Sequence, residues 1–138
     1  MTERLWRIGL VELSDSFRVS LTELARELGA GISGWEPEED STPPRDVGAL
    51  LILAGGVEGR ALDLLTELPQ MEAPIYLIGA APDHRLAAAA VQRGARDYFA
   101  LPDDLDVLRR SLDRVAREVK GRVEAGRFAE TERTSSGF

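Results

Sequence analysis

A chain of 138 residues with 43% hydrophobic content is enough for one domain with a real core. Its 24 acidic and 17 basic side chains give a net charge of -7, which opposes a phosphate backbone, so no direct nucleic-acid contact is expected. The lack of cysteine excludes disulfides, thiolate metal sites and a cysteine nucleophile, and no apolar run has signal-peptide or membrane-span character, so a cytoplasmic protein without membrane attachment is expected.

Trp6 to Leu13 predicts the first strand. Ser14, Asp15 and Ser16 follow and can cap a helix that carries Phe17, Leu21, Leu24, Ala25 and Leu28 on one face, with Gly29 closing it. Gly31 to Glu36 is a weak second strand whose only bulky residue is Trp35. Pro37 to Asp46 contains Glu38, Glu39, Asp40, Pro43 and Pro44 but no apolar stripe, so an acidic loop is expected in place of a second helix. Ala49 to Ala54 is a nearly continuous aliphatic run, as in a central parallel strand buried on both faces.

After Gly55-Gly56, a short helix is expected from Arg60 to Leu68, and a fourth strand from Pro74 to Ile78. An alanine-rich helix from Asp83 to Arg93 and a fifth strand from Asp97 to Ala100 come next. The last helix starts at Pro102-Asp103-Asp104, where acids suit the positive end of the helix dipole. It is expected to reach about Val123, roughly 30 Å at 1.5 Å per residue. Strand-length runs alternating with helix-length runs predict a doubly wound parallel α/β sheet. A domain over residues 1–123 and a polar linker over 124–138 complete the expected organisation.

The stretch Gly94-Ala95-Arg96-Asp97-Tyr98-Phe99-Ala100-Leu101-Pro102 resembles the end of a response-regulator receiver domain, which reads G-A-x-x-Y-x-x-K-P. The resemblance covers about Trp6 to Leu112. It implies a flavodoxin-like (CheY-like) sheet with strand order 2-1-3-4-5 and a cis bond between Leu101 and Pro102. In receivers the lysine of this motif contacts a phosphoryl group on a central aspartate; here Leu101 stands in its place. The family's two magnesium-holding acids fall on Glu12 and Leu13, a poor set for a hard cation. The phosphoacceptor position falls within Leu51-Ile52-Leu53-Ala54, which holds no nucleophile, and the hydroxyl residue after the fourth strand falls on Gly79. Tyr98 matches the aromatic residue that swings in or out; with no hydroxyl at Gly79, a fixed and partly buried ring is expected.

These losses, on a framework that stays legible, predict a pseudo-receiver that is not phosphorylated, holds no metal or cofactor and is not an enzyme. Two alternatives stand beside it. One is a true receiver that uses displaced acids such as Glu12, Asp15 or Glu58. The other is a small-molecule sensor at the carboxyl ends of the strands, near Ser14, Gly55, Gly79 and Ala80. Gly55-Gly56-Val57-Glu58-Gly59 lacks the lysine and serine of a phosphate-binding P-loop and reads as a turn. His84 has no nucleophile partner and reads as a helix start, and Glu36, Glu38, Glu39 and Asp40 read as a solvated charge run.

Along the last helix, Leu105, Leu108, Leu112, Val115 and Val119 recur at alternating spacings of three and four. Leu112, Val115, Val119 and Val123 are expected to form a homodimer seam where the helix outruns the sheet. The tail from Arg127 to Arg133 resembles the linker before the ATPase domain of NtrC-like enhancer-binding activators. That resemblance implies downstream ATPase and DNA-binding partners in a longer transcription regulator, with an input signal other than aspartyl phosphate.

Overall fold

A computed structural model describes the backbone of residues 6–136 and the side chains of residues 6–122. The elements run β1 (Trp6–Glu12), α1 (Arg18–Glu27), β2 (Ala30–Gly34), β3 (Ala49–Leu53), α2 (Glu58–Glu67), β4 (Ile75–Gly79), α3 (His84–Gln92), β5 (Asp97–Ala100) and α4 (Leu105–Ser136). All pairings are parallel and the strand order is β2-β1-β3-β4-β5. The crossover between β1 and β3 puts helices on both faces, as the alternation in the sequence predicts.

Side-chain alternation along each strand builds two cores. On one face Ile8, Leu10, Leu51, Leu53, Ile78 and Phe99 pack with Leu21 and Leu24 of α1 and with Leu108, Leu112 and Val115 of α4. On the other, Val11, Leu50, Ile52, Leu77 and Tyr98 pack with Ala61 and Leu65 of α2 and Ala90 of α3. No helix stands between β2 and β3. Trp35 instead joins the second core, and its indole N–H donates to the Asp40 carbonyl at 2.7 Å, pinning the acidic loop across that edge.

The start of α1 differs from expectation. Phe17 occupies the N-cap position with no side-chain cap, while Ser14 and Ser16 bond each other, Oγ to Oγ at 2.8 Å. Short hydroxyl side chains close local turns as readily as they cap helices, and here the turn prevails. At α3 the cap is real: Asp83 accepts the Arg85 N–H at 2.9 Å.

On the last helix, part of the expected dimer seam lies in the core of the domain itself. Leu112 is fully buried, Val115 is 3% exposed, and Val119 packs part-buried against the same core. A Cβ added at Gly48 would meet Trp6 Cε3 at 2.8 Å and Val119 Cγ2 at 3.2 Å, so α4 lies close over the start of β1. The seven residues of β1 extend about 23 Å at ~3.3 Å each, and Leu105 to Val119 covers about 21 Å of helix. The stripe therefore ends near the end of the sheet, with Val115 in the core and Val119 at its margin. Val123 lies outside the residues whose side chains are described. The helix continues to Ser136, past the expected end near Val123 and into the segment expected to be linker. Among the described residues no helix is long and apolar enough to cross a membrane.

Candidate functional site

The carboxyl ends of β1, β3, β4 and β5 meet where the crossover between strands opens a crevice. Glu12 ends β1, and Arg18 Nε donates to its Oε2 at 2.8 Å. The N–H groups of Leu13 and Ser14 both donate to the Leu53 carbonyl, at 3.0 and 3.1 Å, which draws β1 onto β3. The Leu13 side chain packs against the second core. Magnesium needs a near-octahedral oxygen shell. One carboxylate already paired with arginine, beside Leu13 and Ala54, does not fit that ion. Among the described residues no three acidic, histidine or cysteine side chains converge to hold a metal.

At the end of β3, Leu51, Ile52, Leu53 and Ala54 are all buried and aliphatic. Phe17 lies against the following loop, 2.8 Å from where a Gly55 Cβ would stand. Gly56 adopts φ +87°, a left-handed turn that glycine enters without a steric penalty.

At the end of β4 the decisive residue is Gly79. A Cβ there would fall 2.3 Å from Tyr98 Oη and 2.9 Å from ring atoms Cε1 and Cζ. The tyrosine ring thus fills the space a side chain at position 79 would need. Tyr98 is 8% exposed, and its hydroxyl donates to the Ala81 carbonyl at 2.6 Å. Burial first, then the Glu58 charge, pushes the phenol up to about 12.

Glu58, the first residue of α2, reaches across the crevice. Its Oε2 accepts from the Ala80 N–H at 2.9 Å and the Ala81 N–H at 3.3 Å. Burial pushes this carboxyl up, but the N–H groups of Ala80, Glu58, Gly56 and Ala81 outweigh that and hold it below its usual value. Leu101 is buried in the first core; its N–H donates to the Gly79 carbonyl at 2.9 Å. The Leu101-Pro102 bond is cis, as the resemblance implies. Asp104 closes the β5 end by accepting the Ala100 N–H at 2.9 Å.

Of the positions singled out in the sequence, Gly79, Ala80 and Tyr98 come together with Glu58, while Glu12 stands apart with Arg18. Ser14 lines a separate open cleft of about 1180 Å³, together with Glu12, Asp15, Glu36, Glu38 and Trp35. In that cleft the hydrogen bond and charge of Glu39 push the Glu36 carboxyl above its usual value. Gly55, Gly79 and Ala80 do not line it.

No protein-family model matches the sequence, and no curated protein matches it in sequence. Solved structures do resemble the fold. A response regulator receiver protein from Pseudoalteromonas atlantica superposes with a TM-score of 0.66 at 20% identity, over 80% of this chain and 97% of its own. This chain has the receiver fold. A signal receiver domain of a histidine kinase from Clostridium thermocellum gives 0.67 at 15% identity, over 80% of this chain and 97% of that one. NtrX from Brucella abortus gives 0.59 at 20% identity, over 96% of this chain and 30% of its own. Within that receiver fold, the crevice here holds a tyrosine ring and a glutamate carboxylate on backbone N–H groups.

The role of Glu58 was not legible in the sequence. Its partners are backbone groups more than twenty residues away. The only local sign is its place after two glycines, which reads equally as a turn.

Proposed function

We propose that this receiver-fold domain takes up no phosphoryl group and works as a regulatory module of a bacterial transcription regulator, signalling through protein contacts without catalysing a reaction. The observation that carries this reading is the end of β3, where Leu51 to Ala54 are buried aliphatic side chains with no oxygen to accept a phosphoryl group. Leu101, packed in the core, and Gly79, covered by Tyr98, support it, because neither offers a contact to an incoming phosphate.

The likeness to 30% of a longer NtrX chain supports a place in a multidomain regulator. Downstream ATPase and DNA-binding domains are then the natural recipients of the signal, as the tail resemblance implies. Self-association in this reading rests on exposed apolar side chains such as Val91 of α3 and Val107 of α4, because Leu112 and Val115 are committed to the core.

Acetyl phosphate with magnesium, followed by intact-mass measurement, tests the reading. The expected mass is unchanged; an added phosphoryl group, mapped to Glu12, Asp15 or Glu58, would establish the displaced-acid receiver instead.

A further inference from the structure

A glutamate in the first turn of a helix is ordinarily accounted for by the helix dipole. Glu58 does more than the dipole requires. Its carboxylate leaves its own helix and bonds the N–H groups of Ala80 and Ala81, which belong to the loop after β4. A side chain that begins where the loop after β3 ends is thus bonded twice to the loop after β4. Ala81 is shared: its N–H goes to Glu58 and its carbonyl accepts the Tyr98 hydroxyl. The chain of contacts therefore runs from the start of α2, through the β4 loop, to a ring lying over Gly79.

We propose that Glu58 is a resident latch: its carboxylate ties the loop after β3 to the loop after β4 and so holds Tyr98 inward over Gly79. The conformation of this end of the domain is thereby set by the chain's own anion. Two features make the arrangement possible. Gly56 takes the left-handed turn that places α2, and Gly79 leaves room for the ring. Hydrogen bonds to an ionised group are stronger than neutral ones, which suits a contact that must order two loops. Loss of the latch would leave the aliphatic end of β3 unchanged, so this inference and the proposed lack of phosphorylation fail separately.

Glu58→Gln and Glu58→Asp test it in the full chain. The first keeps the shape and removes the charge. The second keeps a charge in the first turn of α2 but shortens the reach, so a pure dipole effect would survive it. In both variants the amides of Ala80 and Ala81 are expected to exchange with solvent faster, on the order of tenfold, while amides of β1 and α1 are unchanged. Tyr98 is expected to titrate below its present value. Wild-type exchange at Ala80 and Ala81 in Glu58→Asp, or an unmoved Tyr98 titration in both variants, would overturn the latch.

Discussion

Replacing Gly79 with serine is expected to expel the Tyr98 ring and to destabilise the domain by about 2–4 kcal/mol, from overpacking and a broken hydrogen bond. The substitution places a Cβ 2.3 Å from Tyr98 Oη, and two further ring atoms at 2.9 Å prevent relief by a small rotation. The ring must leave, and with it the bond to the Ala81 carbonyl. Urea unfolding measures the loss. Spectroscopic titration reads the displaced phenol, which is expected to move from about 12 toward the ordinary tyrosine value near ~10. Adding Tyr98→Ala should recover part of the cost, since the two residues share one space and their effects cannot be additive. A Gly79→Ser protein of unchanged stability, with Tyr98 still titrating near its present value, would mean that the ring does not occupy that space in solution.

Leu112→Ala is expected to cost about 2–5 kcal/mol without changing the oligomeric state. Leu112 has no exposed surface and belongs to the buried cluster that also holds Leu21 and Leu24 of α1 and Phe99 of β5. Truncation leaves a cavity among close-packed buried side chains, which have little freedom to collapse into it. Thermal unfolding with light scattering on the same samples separates the two readings of this residue. A large drop in melting temperature at constant mass places it in the core. A change in mass with little loss of stability would return it to a subunit seam.

Much of the fold is legible because burial on both faces leaves an unmistakable pattern. Ala49 to Leu53 are aliphatic throughout and form the central strand, and the proline-rich acidic stretch excludes a helix before it. Gly29 and Gly94 close α1 and α3 with positive φ, where glycine is favoured. The α4 stripe shows where such reasoning stops. Spacings of three and four put apolar residues on one helix face whether that face meets a sheet or another helix. It is burial in the folded chain that assigns Val115 to the core and sets Val119 at its margin. The beginning of α2 is the other instructive case: it lies at Glu58, two residues before the expected Arg60. Those two residues bring into the helix the carboxylate on which the crevice depends.

The same limit applies to the site. Missing groups can be read from a sequence, since Leu53-Ala54 offers no acceptor in any alignment. What fills the crevice cannot, because Tyr98 over Gly79 and Glu58 on Ala80 are contacts between distant segments. In three dimensions the crevice beside Gly79 is filled by the chain's own side chains.

The most direct test is an amide-resolved titration of the protein with beryllofluoride and magnesium, which together mimic a bound phosphoryl group. Resonances of residues 54–58, Ala80, Ala81 and Tyr98 are expected to stay in place throughout. Saturable shifts confined to those residues would show that the crevice still accepts the phosphoryl mimic and would contradict the account.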